Sequence, residues 1–308
     1  MTLGKTYLKN IPITEIAPFI HWTFFFAAWN VSGKYDDIQQ VCECESCKAA
    51  WLKNFSDTEK VKAEEALKLY RDAQELLRRI RDDNSLQINA MIGIYPAVSD
   101  SDDNIIVNFE GEKIFIPTLR QQKPSTDGFC YSLADFLSSE SDFLGFFANT
   151  VTGGEELVQR FENEGDIYQS ILVKTLADRI AEATAEWLHY KVRREIWAYS
   201  PDEKRDIAEM FRGHYQGIRP AVGYPSLPDL SIIFDFDKIV NFRELGISLT
   251  ENGAMFPTAS VCGLMFAHPK SKYFITGKID DEQLADYAQR RGKTTAEMRK
   301  WLNNNVLI

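Results

Sequence analysis

Apolar residues recur at helical spacing in two long stretches of the chain. Between residues 57 and 83, Val61, Leu67, Tyr70, Ala73, Leu76, Leu77 and Ile80 fall on one stripe, with Asp57 placed to cap it. From about 166 to 197, Leu172, Leu176, Ile180, Leu188, Val192 and Ile196 line a second stripe in four-residue steps. Asp178, Glu182 and Glu186 form an acidic stripe on that same long helix. Pro201 ends it, and Asp202 or Glu203 is placed to restart a shorter helix. Thr14 and Glu15 predict a short helix near the start. At the end of the chain, Asp280 to Gly292 and Thr294 to Leu302 predict two more helices, the second with a Thr294/Glu297 capping box.

Between these helices the pattern switches to β. INAMIGIYPAV, NIIVNF and KIFIPTL are strand-like, and the Glu110-Gly111-Glu112 turn predicts an antiparallel hairpin. DFLGFFANTV predicts a buried strand ending at Gly153-Gly154, and SLADFLSS a short helix before it. SVCGLMFAHP and SKYFITGKI, separated by a Pro-Lys-Ser turn, predict a second hairpin. Helices and hairpins alternate irregularly without a βαβ series, so the fold class is α+β. Phe19, Trp22, Phe24, Phe25, Phe26 and Trp29 crowd one stretch, which then forms core or lines a pocket.

A length of 308 residues suits one large domain or two lobes. The net charge of −10 argues against a broad nucleic-acid footprint. Two local basic clusters, Lys191/Arg193/Arg194 and Arg290/Arg291/Lys293, are solvated helix faces or docking points for an acidic protein. No apolar run reaches transmembrane length, and the start lacks the features of a secretory signal, so the cytoplasm is expected. Cys42, Cys44 and Cys47 are crowded together, yet three thiols with no nearby histidine fall short of the usual four-ligand set. They read as incidental thiols, and no metal is expected.

The usual catalytic templates are missing: no G-x-S-x-G, no H-E-x-x-H, no G-x-G-x-x-G. The four histidines, at 21, 189, 214 and 268, are scattered. What stands out is GIRPAVGYPSLPDL, residues 217 to 230, too broken by proline and glycine for a helix or a central strand. Arg219 on this backbone suits a carboxylate, and Gly223 permits close approach of a ligand. The main chain around Ala221, Val222 and Gly223 is expected to stay out of regular ladders and to present its N–H and C=O groups. Tyr224 and Tyr273 suit a cation, and Glu182 an ammonium. The plain alternative for Asp178 and Glu182 is a solvated helix face. The residues alone reach a small domain that binds a zwitterion.

Six stretches carry more than that. HWTFFFAAWNVSGKY, LRQQ with SLADF, VTGG, VKTLADRIAEATAEWLH, YQGIRPAVGYP and HPKSKYF occur in this order along nearly the whole chain. Together they resemble the reactivation (activation) domain of cobalamin-dependent methionine synthase, R-P-A-x-G-Y-P being the most specific element. The resemblance implies a C-shaped α+β domain, antiparallel sheet and hairpins flanked by helices with one long central helix. It would fill residues 1–308, with 1–56 an aromatic-rich N-terminal segment of the same domain. It implies a shallow groove for S-adenosylmethionine, with Arg219, Ala221, Gly223 and Tyr224 in the cradle. Glu182 would meet the ligand's polar end, Tyr273 and Phe274 would lie on the hairpin wall, and Asp178 would face the cobalamin module. The family typically has an aspartate where this chain has His21, which brings no negative charge to an ammonium.

The implied function is reductive methylation of cob(II)alamin to methylcobalamin, with cobalamin supplied by another module and an electron by a flavodoxin-like reductase. The uphill reduction is drawn forward by irreversible methylation, so the domain places reactants and no side chain acts as acid, base or nucleophile. The chain would be a domain or subunit of a methyltransferase, 5-methyltetrahydrofolate–homocysteine S-methyltransferase, since the cobalamin signature and the zinc site for homocysteine are missing. Whether it is a stand-alone subunit or an excised C-terminal domain stays open. The alternative function is a non-catalytic paralogue that docks on a corrinoid protein without productive ligand binding, as His21 would suit.

Overall fold

The computed structural model describes residues 1–31, 33–35 and 37–307. The first half of the chain forms β1 (Gly4–Leu8), α1 (Ile13–Ile16), α2 (Trp22–Ala28), α3 (Glu45–Leu52), α4 (Asp57–Asp83), β2 (Gln87–Ser99), β3 (Asn104–Phe109), β4 (Glu112–Pro117) and β5 (Asp142–Thr152). The second half adds α5 (Gly154–Asn163), α6 (Ile167–Lys191), α7 (Ile207–Phe211), α8 (Ile233–Val240), β6 (Ser248–Leu249), β7 (Met255–Phe256), β8 (Ser260–Met265), α9 (Asp281–Arg290) and α10 (Thr295–Trp301). Helices and antiparallel strands are thus mixed, as the α+β reading predicts. No helix among the described residues is long and apolar enough to cross a membrane.

The chain divides into two compact units. Residues 1–9, 89–150 and 185–308 form the first, residues 10–88 and 151–184 the second. The first 56 residues are therefore shared between the units, and so is α6, which enters the first unit at Ala185.

The first unit is built on a sheet in the order β4-β3-β2-β5-β8, with β1 also on β2. The turn at Glu110-Gly111 joins β3 to β4 with Asn108 opposite Lys113, so the predicted hairpin forms. Helix α8 covers part of the sheet, with the Phe236 ring edge-on to Phe146 at 5.2 Å. Leu284 and Tyr287 of α9, Met298 of α10 and Leu302 just after it close a smaller core with Leu119 and Ile279. The predicted Thr294/Glu297 capping box holds α10.

Residues 218–222 run antiparallel along the outer edge of β8. Ile218 and Phe266 exchange both backbone hydrogen bonds, at 3.1 and 2.9 Å. The Leu264 N–H donates to the Pro220 carbonyl at 3.0 Å, and the Val222 N–H to the Cys262 carbonyl at 3.0 Å. Pro220 offers only a carbonyl here, so its missing N–H costs nothing at an edge. The approach is close. A Cβ at Gly263 would stand 2.2 Å from the Pro220 oxygen and 2.7 Å from the Ala221 Cα. Only glycine fits without moving one backbone or the other.

This edge strip explains one failed expectation. The hairpin predicted between SVCGLMFAHP and SKYFITGKI does not form, and residues 271–278 carry no ladder. Strand β8 already has β5 on one side and 218–222 on the other, so no edge is left for a returning strand. The segment keeps the alternation of a strand, with Phe274 and Thr276 buried between exposed Tyr273 and Ile275. Its main chain bonds to loops instead: the Thr276 N–H to the Pro225 carbonyl at 2.9 Å, and the Gln121 side chain to the Ile275 carbonyl at 2.8 Å.

In the second unit, α4 spans the predicted residues, but Ser56 rather than Asp57 caps it. The Glu59 carboxylate accepts from the Ser56 N–H at 3.1 Å, while Asp57 pairs with Lys60 at 2.6 Å. Val61 lies off the buried stripe, 70% exposed; Ala63, Ala66 and Leu69 take its place. Of the crowded aromatics, Phe19, Trp22, Phe25 and Phe26 are core and Phe24 is exposed. Back in the first unit, α6 continues as a π-helix over Val192–Ile196, and α7 is N-capped by Asp206, whose side chain accepts from the Glu209 N–H. No helix starts at Asp202 or Glu203, and the Glu203 carboxylate pairs with Arg193 instead of capping.

Substituting Gly263→Ala is expected to lower stability by about 1 to 3 kcal/mol or more, as overpacking does. Urea unfolding monitored by circular dichroism measures it; an unchanged midpoint would show that the strip and β8 can separate freely.

Candidate functional site

Because alternate residues of the strip bond to β8, the main-chain groups of Arg219 face the other way. The Arg219 N–H donates to the Tyr273 hydroxyl at 2.9 Å. The Arg219 guanidinium is mostly buried. Its Nη2 donates to Glu186 Oε2 at 2.6 Å, and its Nη1 lies 3.4 Å from the Tyr215 hydroxyl and 3.5 Å from that of Tyr273. Burial by itself would make the guanidinium easier to deprotonate, but Tyr273, Glu186 and Tyr215 outweigh it and hold the charge more firmly than usual. The other carboxylate oxygen, Glu186 Oε1, is buried and has no hydrogen-bond partner among the described residues. A buried acceptor left half-satisfied is costly and marks a place where a donor is wanted.

Behind Tyr215 the packing is charged as well. The Arg193 guanidinium lies over the Tyr215 ring, 4.1 Å from its centroid. Arg193 is fully buried and forks onto Glu203 through two 2.6 Å hydrogen bonds. The His189 ring stands edge-on to Tyr215 at 5.2 Å, and its Nε2 shares a 3.2 Å hydrogen bond with the Tyr199 hydroxyl. Burial pushes the His189 pKa well below the ordinary histidine value, and the charges of Arg193 and Arg219 push it the same way. Burial raises the Tyr199 and Tyr215 hydroxyls in turn. The group is a neutral imidazole and two tyrosines set among two fixed guanidinium–carboxylate pairs. Nothing in it makes a nucleophile–base pair; it can hold a charged ligand end in one orientation.

Residues 12–292 match the family described as vitamin B12 dependent methionine synthase, activation domain. The chain belongs to this family. A crystal structure of the MetH reactivation domain bound to AdoHcy superposes with a TM-score of 0.88 at 34% sequence identity, over 100% of this chain and 91% of that one.

Within this activation domain, the structure brings some of the sequence-selected residues together. Arg219 and Tyr273 meet through the hydrogen bonds above. Ala221 follows Arg219 on the strip, and Gly223 stands just past its end with φ +84°, a conformation that favours glycine. Their main chain does not stay out of ladders as expected: Pro220 and Val222 bond to β8, and the Gly223 N–H donates to the Leu227 carbonyl at 2.9 Å. The loop gains its rigidity from the sheet edge and from the turn after it. Tyr224 is half-exposed, and an open groove beside Gly223 is lined by Pro225, Pro228, Ile275, Lys278 and Trp301. Phe274 does not face outward; it packs into the core against Tyr131 and Phe136, at 6.0 and 6.3 Å between ring centroids.

Glu182 lies one turn before Glu186 on α6, half-buried, and Asp178 one turn earlier still, exposed. His21 occupies the N-cap position of α2 without capping it, its ring 4.6 Å from that of Phe24. The residues that sequence reasoning did not select are Glu186, Tyr215 and His189. Glu186 is the third member of the acidic stripe, so its four-residue step was a usable signal; the other two had none. The two basic clusters are not docking faces as a whole. Arg193 is buried, and Arg291 is buried on Asp229 and Asp235, at 3.2 and 2.6 Å.

The pH dependence of stability follows from His189. Its folded pKa lies below the unfolded value of about 6.5, so under that pH the unfolded chain binds a proton that the folded chain refuses. Stability attributable to this group is full above about pH 6.5 and is lost as pH falls, by up to about 1.4 kcal/mol per unit. Urea midpoints between about pH 7.5 and 5.5 should fall more steeply for the native chain than for His189→Gln. Equal slopes would remove His189 as the cause.

Proposed function

We propose that this activation domain binds S-adenosylmethionine and supports reductive methylation of cob(II)alamin to methylcobalamin, the cobalamin being presented by another module of methionine synthase. The observation that carries this reading is the Arg219–Glu186 pair. A fixed guanidinium beside a carboxylate with one buried, unpartnered oxygen suits the two charges of an amino-acid end. That a solved relative was crystallised with AdoHcy supports the same ligand class. S-Adenosylmethionine, when bound, supplies a methyl group on a sulfonium, which needs no protein nucleophile.

The work of this chain is then to hold and orient. Arg219 takes the ligand carboxylate, and Glu186 keeps the guanidinium from turning away. Glu186 Oε1 is the acceptor for the ligand ammonium, and Glu182, one turn earlier on α6, is the residue that the resemblance assigns to the same end. Tyr273 fixes the start of the strip and offers its ring to the cationic centre, with Tyr224 as a second aromatic wall. Ala221 and Gly223 give main-chain contact, and Phe274 anchors the segment that carries Tyr273. Asp178 faces the cobalamin module, and His21 stands where the resemblance implies a carboxylate. A flavodoxin-like reductase in the cytoplasm supplies the electron; its docking surface does not include the buried Arg193 or Arg291.

Isothermal titration with S-adenosylmethionine tests the binding step. Arg219→Ala is expected to weaken affinity by about 2 to 4 kcal/mol, roughly 30- to 1,000-fold. A native dissociation constant above about 1 mM would favour the docking-only reading, which a histidine at position 21 in place of a carboxylate supports. In that case His21→Asp should restore binding. The catalytic step is tested by mixing the chain with a cobalamin module, S-adenosylmethionine and a reductant. Conversion of cob(II)alamin to methylcobalamin is expected in the visible spectrum, and ligand binding without conversion would overturn the proposal.

A further inference from the structure

Away from this site, the second unit holds a feature that neither the fold nor the proposed function uses. The three thiols of Cys42, Cys44 and Cys47 converge, their sulfurs within 4.8 Å of one another. The Cys42 and Cys44 sulfurs are 3.0 Å apart. We infer that these three cysteines form a trithiolate site for one thiophilic d10 metal ion, with Cu(I) and Zn(II) as its two candidate occupants.

The local fold sets the convergence. Cys44 is the N-cap of α3, and its sulfur accepts from the Cys47 N–H at 3.3 Å. That bond wraps the C-x-x-C segment around the helix start and turns both sulfurs to the same side. Ser46 Oγ lies 3.1 Å from the Cys44 sulfur and holds its rotamer. Cys42 is brought in from the preceding loop, where Arg71 of α4 donates to its carbonyl at 3.1 Å. Exposed thiols on an unrestrained loop would splay apart; here hydrogen bonds from two helices gather them.

Size and chemistry fit. A metal–sulfur bond of about 2.3 Å puts three sulfurs around one ion about 4 Å apart, so closing this triangle needs shifts below about 1 Å. Soft thiolates select Cu(I) and Zn(II) over magnesium or calcium. No histidine or carboxylate among the described residues joins the group. Three sulfurs complete a trigonal Cu(I) site, whereas Zn(II) would take a solvent molecule as its fourth ligand. Four ligands are the rule for structural zinc, so the short set reads as incidental in sequence, but it is sufficient for an ion content with three. Each thiol that ligates releases its proton to solvent, and no oxidant or reductant is consumed. Cys42 and Cys44 are exposed and Cys47 half-buried, which leaves an entry path.

The test uses the full chain, reduced with a non-thiol phosphine under anaerobic conditions. Cu(I) is presented as its bicinchoninate complex in one arm and Zn(II) with a chromogenic indicator in the other. Uptake of one ion per chain is expected in at least one arm, lost in a Cys42→Ser/Cys44→Ser/Cys47→Ser variant and kept when Cys130 and Cys262 are replaced. X-ray absorption on the loaded chain should show three sulfurs at about 2.3 Å. Uptake in the copper arm alone identifies the trigonal site; uptake in the zinc arm, with one light-atom neighbour, identifies the solvent-completed one. Thermal unfolding checks that the triple variant still folds. No stoichiometric uptake in either arm, uptake unchanged in the triple variant, or a shell of only two sulfurs overturns the inference.

Discussion

The candidate site depends on one close contact between two stretches of backbone. Residues 218–222 lie against β8 because position 263 has no side chain, and the Pro220 oxygen occupies the space a Cβ would need. Hydrogen bonds on that side use alternate residues, so the next residue, Arg219, is forced to face away from the sheet. A proline in the strip adds stiffness and loses nothing, because its one acceptor is the group β8 requires. The strip is therefore a sheet edge in its bonding and a loop in its sequence. Its rigidity comes from the sheet, and its outward side stays available.

Charge then fixes what that outward side presents. Arg219 and Arg193 each carry a carboxylate partner, Glu186 and Glu203, and Tyr215 lies between the two guanidinium groups. Buried ion pairs of this kind contribute little net stability, since desolvation offsets attraction, but they leave few alternative arrangements. His189 stays neutral beside them because burial disfavours its charged form, and the charges of Arg193 and Arg219 act in the same direction. A preorganised binding surface without an acid, base or nucleophile is what an activation domain needs if its work is positioning.

The helices were largely readable in the sequence. Helix α6 follows from its four-residue apolar steps, and α10 from Thr294 and Glu297, because burial on one face and capping are settled within a few residues. Errors of one or two positions, such as Ser56 for Asp57, arise where neighbouring polar side chains compete for the same N–H groups. The strip itself was readable as rigid and unusual. Its contact with β8 was not, and neither was the segment around Tyr273. SKYFITGKI has the alternation of a strand, but alternation records only that one face is buried; a ladder also needs a free edge.

The sequence by itself determined the element types, the class of fold, the family through its ordered motifs, and Arg219 as the residue to follow. Only the tertiary structure decided that Glu186 holds Arg219, that Phe274 turns into the core while Tyr273 faces out, and that Arg193 and Arg291 are interior. The physical reason is range. Periodicity, caps and turns are written in residues a few positions apart, whereas the Arg219–Glu186 pair joins residues 33 positions apart and the Arg291–Asp235 pair residues 56 apart, and their meeting depends on every element between them.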